Sequence, residues 1–181
     1  DYRALVWSGQ EEPLTTHADR FDLNLAYRTG SYDKGCVFLS QLAYLIGPEI
    51  LLRVLQRFYD YFKFKHPSAN DFIRVAEKVS GVQLQWYLND WTRTIKSVDY
   101  AIKSVNDKEK KTEIVLERIG GIGMPIDLGV LTNDEKTTVY YIPLQEMFGK
   151  KIVENDWVVE KEWAWARPEY SLLIDIPYSK I

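Results

Sequence analysis

The spacing of apolar residues changes period once, near residue 97. Before that point they recur every three or four positions, and after it every second position. The chain is therefore predicted to be helical first and stranded afterwards. The strongest helix is predicted over residues 34–46. There Val37, Phe38, Leu42, Leu45 and Ile46 cover so much of the circumference that burial on most sides is expected. Gly47 ends this helix, and Pro48 opens the next at its first position. That helix runs to about residue 62, with Ile50, Leu51, Val54, Leu55, Phe58 and Phe62 as its core stripe. Ser68 and Asp71 have the spacing of a capping box. The helix they start carries Phe72, Val75, Ala76 and Val79, and Gly81 stops it. Leu84, Tyr87, Leu88 and Trp91 predict one more short helix. Residues 1–30 are mostly irregular, with helical character at 3–6 and 18–25.

From Val98 the pattern alternates. Val98, Tyr100 and Ile102 form one set, Thr112, Ile114 and Leu116 a second. Ile126, Leu128 and Val130 form a third, and Thr138, Tyr140 and Ile142 a fourth. Weaker strands are expected at 152–159, 162–166 and 171–176. Gly120-Gly121-Ile122-Gly123 is expected to be a flexible connection. It is no phosphate loop, because it lacks the Lys-Ser/Thr pair and leads into a strand. The predicted fold class is α+β and multidomain. A helical subdomain spans residues 1–97, and an all-β, immunoglobulin-like sandwich spans 98–181.

Composition narrows the function classes. A chain of 181 residues that is 46% hydrophobic and 14% aromatic can bury a sizeable core. A net charge of −3 argues against the basic face of a nucleic-acid-binding protein. No run approaches the ~20 apolar residues that cross a bilayer. Cys36 is the only cysteine, so no intrachain disulfide forms, and its apolar neighbours predict a buried, inert thiol. His17 and His66, the two histidines, have no ligand partner three or four positions away. Neither is expected to bind metal. The chain opens in mid-pattern without an initiator Met or a signal peptide, as expected of a piece of a longer polypeptide.

The stretch that points to chemistry is 31–39, Ser-Tyr-Asp-Lys-Gly-Cys-Val-Phe-Leu. A tyrosine falls in a predicted turn, a Lys-Gly pair follows, and an apolar helix begins at once. This Tyr-x-Lys-Gly element resembles that of the aminopeptidase N family of zinc gluzincins. Further family elements follow in order. They are the apolar helix of 39–46, Gly47-Pro48-Glu49, an aromatic helix to Phe62, His66-Pro67, Asp71-Phe72, and Trp86 with Trp91. The resemblance covers about residues 27–95. The strand-rich segment beyond matches the β-domain that follows the catalytic domain in that family.

The resemblance implies a zinc-dependent metallopeptidase, an aminopeptidase acting on peptide substrates. Tyr32 would stabilise the tetrahedral oxyanion, with Lys34 and Gly35 supporting its turn. A phenol suits that task, because it donates one hydrogen bond, adds no charge and stays protonated at neutral pH. Lys34 is expected to orient the turn, and Gly35 to permit close backbone packing. His-Glu-x-x-His is absent from the sequence. In the family the zinc ligands lie upstream, so the resemblance implies a downstream part of the enzyme that works with an upstream catalytic half. On that reading the 181 residues alone hold no zinc and have no peptidase activity.

Other readings remain open at this point. Tyr32 is alternatively a helix-entry aromatic packed on Phe38 or Tyr27. The parent is alternatively a non-catalytic scaffold relative of the family. Trp157, Trp163 and Trp165 raise a third reading, a β-sandwich module binding carbohydrate or peptide. That reading requires the three rings to be exposed and coplanar, whereas plugging the sandwich would bury them.

Overall fold

The computed structural model describes residues 2–149 and 151–181. The chain divides into two compact units. One runs through Lys96 and takes in Phe148–Ile152, and the other comprises Ser97–Met147 and Val153–Ile181.

The first unit is helical. It comprises α1 (Tyr2–Ser8), α2 (Asn24–Thr29), a π-helical turn (Gly30–Lys34), α3 (Gly35–Ile46), α4 (Pro48–Phe62), α5 (Ala69–Ser80) and α6 (Gln85–Arg93). α3 buries Phe38, Leu42, Leu45 and Ile46 on one face. Burial on most sides does not hold, because Cys36, Leu39 and Ser40 lie on exposed parts of the circumference. Cys36 is opposite the core face, so its thiol is exposed rather than buried.

Gly47 adopts φ +94° between α3 and α4, and the segments on either side turn through 118°. Only a residue without a Cβ takes that backbone conformation readily. Among the described residues no single helix is long and apolar enough to cross a membrane. On α4 the predicted stripe is realised in part. Val54 is fully buried and Phe58 packs edge-on to Phe72 at 5.3 Å, while Leu55 is exposed.

The start of α5 follows from local chemistry. Ser68 Oγ accepts from the Asp71 N–H, and the Asp71 carboxylate accepts from the Ser68 N–H, closing both halves of the capping box. The backbone and then the side-chain hydrogen bond from Ser68 hold the Asp71 carboxyl below the usual range. Ser68→Ala is expected to lower stability by about 1 kcal/mol in a urea titration, the usual cost of an N-cap. α6 delivers Tyr87, Leu88 and Trp91 to the interior. The Tyr87 hydroxyl donates to the Phe38 carbonyl at 2.6 Å and ties α6 to α3.

The second unit has two small sheets. The strands are β1 (Tyr100–Lys108), β2 (Lys111–Arg118), β3 (Ile126–Leu131), β4 (Thr137–Ile142), β5 (Val158–Val159) and β6 (Glu169–Ile174). One sheet has the order β1-β2-β6 and the other β3-β4-β5. All pairings are antiparallel except β4 with the two-residue β5, which is parallel. The sheets are separate ladders, yet residues of both line one core: Ile114, Leu116, Leu172 and Ile174 from the first, Val130, Tyr140 and Ile142 from the second. Trp163 completes it and donates its Nε1–H to the Arg167 carbonyl at 2.8 Å. The alternation of Thr112, Ile114 and Leu116 holds. That of β1 fails at Ile102, which is exposed where a bulge shifts the register.

The glycine-rich segment is the reverse of a flexible connection. Ile119 and Gly120 both donate N–H to the Asp99 carbonyl at 2.9 Å, and Ile122 donates to Ser97 at 3.0 Å. A Cβ on Gly120 would stand 2.3 Å from the Ser97 carbonyl oxygen. Here glycine permits close approach of two backbone segments.

Two tyrosines make the second unit sensitive to alkali. Burial first, then the Asp127 charge, pushes the Tyr141 hydroxyl from 10.0 up to about 12. Burial and Glu160 push Tyr170 equally far. Both pKa values are raised above the unfolded value, so the stability they contribute is complete below pH ~10 and is lost as pH rises through ~12. Urea midpoints stepped through that window should fall.

Candidate functional site

α2, the π-helical turn and α3 run on without a break, so Tyr32 lies inside a helix rather than in a turn ahead of one. The Gly35 N–H reaches back to the Gly30 carbonyl, five residues earlier, which is the wide spacing of a π turn. Such insertions concentrate at functional sites, because they turn one side chain out of the regular helical rows. Gly30 and Lys34 face inward, while Tyr32 between them is 75% exposed.

The Tyr32 ring does not pack on either suggested neighbour. Phe38 stacks on Tyr87 with centroids 5.0 Å apart, and Tyr27 meets Phe21 at 5.4 Å. Among the described residues the Tyr32 hydroxyl has no hydrogen-bond partner. Its ring borders an open cavity of about 750 Å³, lined also by Leu25, Arg28, Thr29 and Asp33. The arrangement is a rigid helical support carrying an unengaged phenol donor at the edge of a cavity.

Lys34 is the opposite case. Its side chain is fully buried, and Nζ donates to Glu11 Oε1 at 2.6 Å and to the Thr94 carbonyl at 3.1 Å. Tyr2 donates its hydroxyl to the same Glu11 oxygen at 2.9 Å, and its ring centroid lies 5.9 Å from Nζ. Burial first, and then the Glu11 carboxylate, pushes the Tyr2 hydroxyl well above its ordinary value, so it remains a donor. Sequence reasoning missed Glu11, Tyr2 and Thr94. Glu11 precedes Lys34 by 23 positions, in a loop with no periodic signal.

Gly35 does not permit close packing. Its backbone is ordinary right-handed helix, and a Cβ there would meet nothing within 4 Å. Nothing in the structure explains glycine at this position. His17 and His66 are exposed, and among the described residues no group of three or more His, Cys, Asp or Glu side chains is placed to hold a metal ion. The described residues do not fit a zinc site.

In the second unit Trp163 is buried at 3% exposure, Trp157 is half-buried, and Trp165 stacks under the Arg118 guanidinium at 5.0 Å. The three do not form an exposed platform. A cavity of this unit, about 620 Å³ beside Asp134, Lys136, Asp175 and Lys180, is lined by none of them.

No family model matches the chain. Two proteins of Sulfurisphaera tokodaii are similar to it. "Probable aminopeptidase 1" is 24% identical over 141 residues, which are 77% of this chain and 16% of that protein. "Probable aminopeptidase 2" is 27% identical over 133 residues, 73% of this chain and 15% of that protein. A crystal structure of Legionella pneumophila aminopeptidase A in complex with aspartic acid superposes on 83% of this chain and 16% of that one. Its TM-score is 0.53 at 18% identity, a likeness of fold. The resemblance is thus to proteins named as aminopeptidases. The chain spans 15–16% of the length of the curated relatives it matches.

Proposed function

We propose that the chain is the downstream part of an aminopeptidase N-like gluzincin. Residues 1–97 complete the catalytic domain, and 98–181 form an immunoglobulin-like sandwich that supports it. The substrate is a peptide cleaved at its N-terminal bond, and Tyr32 donates its hydroxyl to the oxyanion that develops there. The observation that carries this reading is the unengaged Tyr32 hydroxyl, 75% exposed at a cavity edge on a helix whose flanking residues are buried.

The donor suits acyl transfer. A carbonyl oxygen gains full negative charge only in the tetrahedral state, so a fixed phenol O–H stabilises that state more than the substrate. A rigid support matters, because a donor that need not be ordered during the reaction loses no entropy then. On this reading zinc, which the family uses, would be held by residues outside this chain.

The test is hydrolysis of aminoacyl amides by the full-length protein, wild type against Tyr32→Phe, with bound zinc measured alongside. Activity that depends on the hydroxyl supports the reading. An inactive, zinc-free full-length protein would replace it with the scaffold reading.

A further inference from the structure

Among the described residues, Lys34 is the most deeply buried charged group, and it comes two positions after the exposed Tyr32. The three groups around its ammonium, Tyr2, Glu11 and the Thr94 carbonyl, come from α1, the following loop and the end of α6. A buried ion pair is a poor source of net stability, since desolvation consumes most of the Coulombic gain. Its better-attested use is to specify one arrangement among several, and this pair is joined to an irregular turn.

A π turn holds one residue more than an α turn. If it relaxed to regular helix, the residues before it would rotate by about 100° relative to α3. That rotation would change the direction in which Tyr32 and the cavity residues beside it point relative to α3. It would also draw Lys34 out of its buried site, leaving the Glu11 carboxylate, 5% exposed, without its cation.

We propose that the buried Glu11–Lys34 pair is the positioning element for Tyr32, holding the π turn in the register that aims the hydroxyl at the cavity. This rests on the reading of Tyr32 as the oxyanion donor. Glu11 and Lys34 touch no substrate and are positioning residues. Tyr2, which donates to the same Glu11 oxygen, and the Thr94 carbonyl, which accepts from the ammonium, complete the anchor.

The test uses the full-length protein and four variants: Tyr32→Phe, Glu11→Gln, Glu11→Gln with Tyr32→Phe, and Glu11→Leu with Lys34→Met. Glu11→Gln should lower kcat by about tenfold to a hundredfold with KM within about twofold, as a small misplacement of a catalytic group does. Adding it to Tyr32→Phe should cost nothing further, because the group it positions is already gone. The Leu/Met pair removes both charges and leaves neither buried alone, so it should fold as well as wild type. It should still show the kcat loss of Glu11→Gln.

A Leu/Met protein with wild-type kcat would overturn the proposal and leave the oxyanion reading intact. So would losses that multiply in the Glu11→Gln/Tyr32→Phe double variant, since a merely structural role predicts that result. An unimpaired Tyr32→Phe would instead remove the oxyanion reading, and the positioning role with it.

Discussion

Tyr32→Phe in the full-length protein is expected to lower kcat on aminoacyl amides by about 100- to 1000-fold, the usual cost of one oxyanion donor. The substitution deletes one oxygen and keeps the ring. Among the described residues the hydroxyl has no protein partner, so its removal strands no buried group. With the ring 75% exposed, stability should stay within about 0.5 kcal/mol of wild type. KM should change little, because the hydrogen bond is made to charge that exists only in the transition state. A loss of turnover in a folded protein whose bound zinc is unchanged therefore isolates the hydroxyl. Equal turnover in the two proteins would return Tyr32 to a surface residue.

Gly120→Ala is expected to destabilise the chain by about 3 kcal/mol, at the upper end for overpacking. The added methyl would stand 2.3 Å from the Ser97 carbonyl oxygen, 2.5 Å from the Asp99 nitrogen and 3.1 Å from the Ser97 carbonyl carbon. All three are backbone atoms, so no flexible side chain can yield. The same segment is held by hydrogen bonds from Ile119, Gly120 and Ile122, and moving it breaks them. Gly35→Ala is the contrast. Its Cβ meets nothing within 4 Å in ordinary helical backbone, so the same chemical change should be neutral or stabilise by up to ~1 kcal/mol. Thermal melts of the two variants side by side separate close approach from glycine content. Equal melting temperatures would mean that the Ser97–Gly120 crossing is not formed.

Local patterns were legible from the residues. The Ser68–Asp71 box, the Gly47-Pro48 break and the left-handed Gly81 cap each involve groups within a few positions of one another, so their chemistry shows in the sequence. The same holds for Thr112, Ile114 and Leu116, whose alternation is a property of one strand. The motif singled out Tyr32 but placed it in a turn ahead of a helix, where the structure has a π turn inside a continuous helix. The difference between an α and a π turn at Gly30–Lys34 is one residue of spacing, and the composition of the stretch suits either.

The rest was decided where distant segments meet. Amphipathic helices determine that a face is buried, while tertiary packing chooses how much of it, which is why Cys36 and Leu55 are exposed and Val54 is not. No period in the sequence ties Glu11 to Lys34, or Lys34 to the Thr94 carbonyl 60 positions on, because an ion pair needs only proximity in space. Nor does a run of glycines reveal whether it is slack or clamped. At Gly120 the answer depends on the backbone of Ser97 and Asp99 crossing within van der Waals distance. Secondary structure is thus written along the chain. The Glu11–Lys34 anchor and the clamp at Gly120 come from contacts between segments that no local repeat connects.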